Sequence, residues 1–388
     1  MLSNIWLITL RECRRILADR RLLVVMLGIP LLYATFLNIM YMNGVVNHIP
    51  TAVYDSSGTA LSRATVQAFH DSQRFNIETT VSSEAEMRRA LETKEVQVAV
   101  VIPRDYARDI KRGEGSKIMV AVNGTNFLYS NAVLSSAGQI VGTISAASEV
   151  TTLEGSGYLP DKARNLAGPV QLATRVWYNP YFNYPNFLML GLVGAVIQQV
   201  LLLYVAIAIT KEKEEGTLGE LIAKQYSAAQ VVMGKVIPYF FFNFITMNVV
   251  LAECYYLFKI PFNGNIGNLL LLEVIFLGAI TALGILLSVI CRNQLEATQM
   301  AMLFALPSFL FSGYTWPIDA MPPLAKGIAA IMPLTYFVTN LRDIALMDLQ
   351  LPVMMKDIMV LGMMNVVLLP AAVLVFGRQY KRFKDLKI

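Results

Sequence analysis

The sequence predicts an α-helical polytopic membrane protein of six transmembrane helices plus re-entrant helices, with an inserted α/β extracytoplasmic domain. Composition is the first reason: 55% of the 388 residues are hydrophobic and 15% charged, at a mean hydropathy of +0.52, far from the balance of a soluble domain. Run length is the second. Crossing the hydrocarbon core takes roughly 20 mainly apolar residues, and candidate runs lie at about 22–42, 186–210, 234–258, 267–290, 297–313 and 358–377, the fifth being the shortest. The third is residues 47–184, whose ordinary soluble composition sets them apart as a domain between segments 1–46 and 185–388.

Residues 1–21 place Trp6, Leu10, Cys13 and Leu17 on one helical stripe and Arg11, Arg14 and Arg15 elsewhere, the pattern of a helix resting among lipid headgroups. A plain extension of the first span is the alternative. No small-residue cleavage site follows, so the first span is expected to be an uncleaved anchor.

Within 47–184, short β-type runs (49–55, 75–81, 96–103 and 117–125) alternate with helical stretches such as SEAEMRRALETKE. After the Asn123-Gly124 turn, Val133, Ala137, Ile140, Ile144 and Ala147 recur at helical spacing and predict a long helix over 127–153. The aromatic cluster RVWYNPYFNYP then delivers the chain to the second span, at interface level or as a substrate gate. Thirteen basic and thirteen acidic residues over 47–184 leave no electrostatic lure for nucleic acid. Cys13, Cys254 and Cys291 all lie outside this domain, so no disulfide framework holds it.

Lysine and arginine set the orientation. With a cytoplasmic amino terminus, that side carries fifteen basic residues, and the opposite short connections carry only Lys259, Lys326, Arg342 and Lys356. The net charge of +5 is therefore a topology signal.

Between the second and third spans lies KEKEEGTLGELIAK, residues 211–224. Thr217 and Glu220 are spaced as a capping box, and Leu218, Leu221 and Ile222 give the short helix an apolar face. Such a stiff polar helix is a handle for another protein. The chain has no GxxxxGK[ST] loop, no HExxH, no paired cysteines and no GxSxG elbow, so an energy source, where one is needed, comes from a partner or an ion. No metal or cofactor is expected in this chain.

Ionisable groups inside spans are costly. Glu253 and Glu273 fall at matching depth, roughly 8–9 Å below the outer interface at 1.5 Å per residue, where they could form one acidic spot for a substrate or cation or simply stabilise packing. Asn38, Gln198, Gln199, Asn243, Asn248 and Asn365 read as interhelical hydrogen-bond partners. The nineteen methionines suit a pathway for greasy molecules or ordinary lipid-facing packing. Beyond the fifth run, Trp316, Pro317, Pro322, Pro323 and Pro333 interrupt any continuous helix. Broken backbone at membrane depth survives only where protein or a cavity satisfies it, which predicts short re-entrant helices over 314–337.

KEKEEGTLGEL, RVWYNPYFNYPNFLMLGLVG and RNQLEATQMAMLFALPSFLFSGYTWPIDAMPPLAKGIAAIMPLTYF resemble the type-2 ABC exporter permeases, in the branch with a large ectodomain between the first two spans. The resemblance covers nearly the whole chain. Leu190 stands where a proline is common in the family, which leaves the local kink open. The resemblance implies a dimer, with a second copy or a homologous permease, and ABC ATPase subunits that bind ATP and Mg on the cytoplasmic face. It implies a coupling role for Glu212, Glu214, Gly216, Thr217 and Glu220, a connecting role for the amino-terminal helix, a periplasmic adaptor as partner, and drugs, lipids or other amphiphiles as substrates. It also implies the bacterial plasma membrane, the inner one in a Gram-negative cell, with both termini cytoplasmic. A non-transporting receptor or scaffold and an ion-driven transporter using Glu253 and Glu273 are the competing readings.

Overall fold

The computed structural model describes residues 2–42, 44–167, 177–179 and 183–385. The chain divides into two compact units, Met1–Gly44 with Trp177–Ile388, and Val45–Val176. In chain order, the first unit opens with α1 (Leu2–Ala18) and the span α2 (Arg20–Met40). Asp19 separates them: its carboxylate accepts from the amides of Arg21 and Leu22, which occupies two of the free donors that any helix start presents.

The second unit holds β1 (Ile49–Asp55), α3 (Ala60–His70), β2 (Phe75–Thr80), α4 (Glu84–Glu92), β3 (Val98–Ile102), α5 (Tyr106–Lys111), β4 (Met119–Val122), α6 (Phe127–Gly155) and α7 (Pro160–Ala167). The strand order is β2-β1-β3-β4. β1 pairs parallel with both β2 and β3, and β4 closes the edge antiparallel to β3. Parallel neighbours require a crossover, which α3 and α4 provide. Period-two alternation splits the strands between two cores. Val53, Val98 and Val100 pack with Phe69, Phe75 and Val133, whereas Ala52 and Ala99 pack with Val81, Met87 and Ala90. Burial on both faces explains the nearly unbroken apolar run of β3.

The first unit resumes with α8 (Tyr184–Ile207), α9 (Thr210–Glu214), α10 (Leu218–Ala223), α11 (Ala228–Leu257), α12 (Ile266–Ile290), α13 (Gln294–Phe311), α14 (Pro323–Ala330), α15 (Pro333–Met347) and α16 (Leu351–Asp385). Among the described residues, five helices are long and apolar enough to cross a membrane, or six if α14 and α15, bent by 83° at their break, count as one span. The polytopic character holds, with five or six crossings by length and composition. The stretch expected as the fifth span, 297–313, is the 18-residue α13, and Gln294, Glu296 and Gln299 in its first two turns keep it out of that set.

Of the aromatic cluster before α8, Arg175, Val176, Pro180, Tyr181 and Phe182 lie outside the described residues. Polar groups inside the spans do link helices. Asn365 donates to the Ile275 carbonyl at 2.9 Å, Asn248 to Glu273 at 2.8 Å, and Ser308 to Gln198 at 3.2 Å. Asn243 instead serves its own helix through the Tyr239 carbonyl.

One glycine sets a close approach. A Cβ on Gly234 would stand 2.6 Å from the Ile8 side chain, nearer than real packing allows, so only glycine lets α1 lie against α11.

Candidate functional site

The charged segment does not stand free of the molecule. α9 and α10 are joined by Gly216 at φ +73°, a left-handed residue just past a helix end, where glycine pays no Cβ penalty. Leu218 and Leu221 are buried, which turns α10 inward along one face. Glu214, Glu215, Gly216 and Glu220 stay exposed.

Glu212 is the opposite case, at 2% exposure. Its Oε1 lies 2.9 Å from Arg15 Nη1 on α1 and 3.0 Å from Lys235 Nζ on α11. Lys235, 1% exposed, also reaches Glu12 Oε2 at 3.0 Å, and Tyr239 donates to Glu12 Oε1 at 3.1 Å. Two buried carboxylates thus share one buried ammonium, closed on one side by a guanidinium. Charges this far from water persist only when paired. Arg15 bonds Glu215 as well, at 2.6 Å. Burial works against its charge, but Glu12, Glu212 and Glu215 outweigh it and raise its pKa.

The Thr217–Glu220 capping box does not form. Thr217 already has helical backbone angles and caps no amide; its hydroxyl donates to the buried Glu212 carboxylate, which holds the side chain there and not over the first amides of α10. Glu220 points toward Arg11, 3.9 Å away.

Two further ties anchor the segment. Lys213 Nζ donates to the carbonyls of Val289 (2.7 Å) and Cys291 (3.1 Å), at the end of α12, where orphan carbonyls favour a cation. Glu214 accepts from the Gln294 amide at 2.9 Å and from its side chain, at the start of α13, where free amides favour an anion. Ser288 Oγ accepts from the amides of Ile209 (2.8 Å) and Thr210 (3.2 Å), where α8 passes into α9. One charged segment is therefore fastened to α1, α11, α12 and α13.

Sequence reasoning did not single out Glu12, Lys235 and Tyr239. A lysine inside the apolar run VVMGKVIPYF was the available signal, since intramembrane ionisable groups are rare and partnered.

Glu253 and Glu273 part company. Glu253 accepts from the Thr35 hydroxyl on α2 and Glu273 Oε2 from Asn248 Nδ2 at 2.8 Å. No hydrogen bond joins the two acids among the described residues, and Glu253 Oε2 and Glu273 Oε1 are both buried without a partner.

In the proline-rich stretch, Pro317 precedes the single turn Ile318–Ala320, Pro322 and Pro323 start α14, and Pro333 starts α15. Proline suits a first helical turn because the amide it lacks has no partner there. Trp316 is 60% exposed. Nearby, Arg342 lies 4.2 Å from the Phe187 ring centre and 5.2 Å from that of Tyr314, and the Tyr314 hydroxyl donates to the Leu188 carbonyl at 3.0 Å. The start of α8 is thereby locked to α15.

Comparison with known proteins agrees with this architecture. The "Probable multidrug ABC transporter permease YbhR" of Escherichia coli K12 is 23% identical over 379 residues, 98% of this chain and all of that protein. The "Inner membrane transport permease YhhJ" of the same strain is 24% identical over 345 residues, 87% of each chain. The "Linearmycin resistance permease protein LnrN" of Bacillus subtilis is 25% identical over 158 residues, 41% of this chain and 38% of that protein. The model of the ABC-2 family transporter proteins matches residues 20–374, and with apolar helices over the same range the chain is a membrane permease that belongs to that family.

Proposed function

We propose that the chain is the permease subunit of an ATP-driven exporter of drugs, lipids or other amphiphiles, working with a separate ABC ATPase subunit and a second permease. The observation that carries this reading is the fastening of residues 211–224. A segment that exposes Glu214, Glu215, Gly216 and Glu220 while tied by buried ions to α1 and α11 can convert a push on its outer face into movement of whole helices. Helices so joined move as rigid bodies, and such shifts underlie two-state pathways. Glu212 and Thr217 then act from inside, as the hinge pin rather than the contact surface.

On this reading both termini and the segment 211–224 are cytoplasmic, residues 47–184 face the opposite side of a bacterial plasma membrane, where a periplasmic adaptor can meet them, and ATP and Mg are bound by the ATPase alone. The bent pair α14 and α15 caps the pathway as re-entrant helices. The relatives' names, a multidrug ABC transporter permease and a linearmycin resistance permease, support drugs as cargo.

The test is charge reversal on the exposed face, Glu214→Lys with Glu215→Lys, in vesicles containing the chain and its ATPase. Export falls while hydrolysis continues or the ATPase dissociates. Full coupled export in that variant removes the segment from the coupling path.

A further inference from the structure

A cavity of about 180 Å³ opens beside the buried ion network, between the α1–α2 junction, the end of α8 and α11. It far exceeds the roughly 10–15 Å³ that holds one water. Its wall is divided by chemistry. Arg15, Arg21, Lys211, Glu12 and Asp19 make up its charged lining, and Leu22, Val25, Tyr204 and Ile207 its apolar lining. Both acids are committed elsewhere, Glu12 to Lys235 and Tyr239 and Asp19 to the amides of Arg21 and Leu22. The guanidinium of Arg21 forms no ion pair among the described residues, nor does that of Arg20, which lines an adjoining hollow with Arg15, Asp19 and Arg21. Unspent positive charge therefore lines a space that two candidate membrane-crossing helices also border.

We propose that this cavity binds an anionic phospholipid, its phosphate against Arg20 and Arg21 and the first part of an acyl chain along Val25, Tyr204 and Ile207. The membrane supplies such amphiphiles at the point where a span ends, and basic pockets between spans are suited to their headgroups. A ligand that is anionic at one end and apolar at the other matches both linings; a free phosphate matches one. Because Arg15, Glu12 and Tyr239 line the cavity, the bound lipid presses on the same network that holds the charged segment to α1 and α11. That consequence rests on the proposed coupling function, whereas the binding does not.

The full chain is placed in phosphatidylcholine nanodiscs with and without phosphatidylglycerol, and retained lipid is counted by native mass spectrometry. Phosphatidylglycerol is retained in preference to phosphatidylcholine. Arg20→Ala and Arg21→Ala, both exposed and outside the buried network, each weaken retention about fivefold, the worth of one interfacial cation. Val25→Phe, which fills the apolar side, also abolishes the preference in protein whose melting shows it folded; if it does not fold, the arginine variants decide alone. Equal retention of both lipids overturns the proposal, as do arginine variants without effect. A folded Val25→Phe that retains the lipid places it on open surface charge and overturns the cavity. Inorganic phosphate or glycerophosphate that displaces the lipid as well as added phosphatidylglycerol does identifies a free-phosphate site and overturns the lipid. The ATPase enters none of these measurements, so a chain that holds the lipid but couples to no ATPase sinks the functional reading alone.

Discussion

Lys235 Nζ stands 3.0 Å from Glu212 Oε1 with both side chains 2% exposed, so a residue of the third candidate span and one of the charged segment share a bond sealed from water. Glu12 of α1 completes the group from the other side, also at 3.0 Å. Three pieces of chain far apart in sequence are held by one ammonium.

Removing that ammonium leaves two carboxylates buried together. Lys235→Met should lower stability by about 3–5 kcal/mol, the usual cost of breaking a buried pair from one side. Adding Glu212→Gln and Glu12→Gln should recover part of it, since no buried charge then lacks a partner. Thermal melting of the purified protein in detergent checks both, and a Lys235→Met protein as stable as the parent would remove the network from the stability of this face.

Thr217 separates two accounts of the charged segment. If it capped α10, Thr217→Asp would be harmless, because aspartate is among the best caps. Its hydroxyl donates to Glu212, so a carboxylate there meets a like charge, and Thr217→Asp should cost about 1–3 kcal/mol while Thr217→Ser costs little. Chemical unfolding followed by tryptophan emission gives the ranking.

Lys213 closes the end of α12 through three carbonyls, those of Ser288, Val289 and Cys291. In Lys213→Met the segment keeps its ties to α1 and α11 but loses its ammonium bonds to the end of α12, where the Ser288 hydroxyl still holds the start of α9. The expected result is hydrolysis by the partner ATPase within about twofold of normal and export reduced about tenfold, a change of about 1.4 kcal/mol in coupling. An unchanged ratio of export to hydrolysis counts against α12 as part of the moving body.

Gly234 admits Ile8. Gly234→Ala should overpack the α1–α11 contact at a cost of about 1–3 kcal/mol, and Ile8→Ala in the same chain should relieve it. A double variant no more stable than Gly234→Ala alone would place the strain elsewhere.

Glu253 and Glu273 each serve a different neighbour, Thr35 and Asn248. Gln at both positions can still accept those bonds, so the double variant should export at the parent rate with the parent selectivity. A changed substrate profile in vesicle flux assays would return the two acids to the pathway.

Much of this protein is written in local pattern. A run of apolar residues long enough to cross the hydrocarbon core announces a span, and the short Val-rich run VQVAVVIP is a strand signal because a strand covered on both faces buries its side chains to either side. The helix α6, Phe127–Gly155, shows in the spacing of Val133, Ala137 and Ile140 for the same kind of reason. Residues 297–313 do form a helix, within Gln294–Phe311, whose start is made more polar by Gln294, Glu296 and Gln299. The spacing of Thr217 and Glu220 misled because a capping box presumes a solvated helix start, and here a buried carboxylate lay within reach of the hydroxyl.

Period, composition and charge asymmetry thus determined by themselves that the chain is a polytopic membrane protein with a charged segment between spans. Only tertiary structure decided that Glu12, Glu212 and Lys235 meet, across separations of 223 and 23 positions. None of those residues taken alone names its partner. Their pairing follows from how closely α1 lies on α11, an approach set by the missing side chain of Gly234 and recorded in no local pattern.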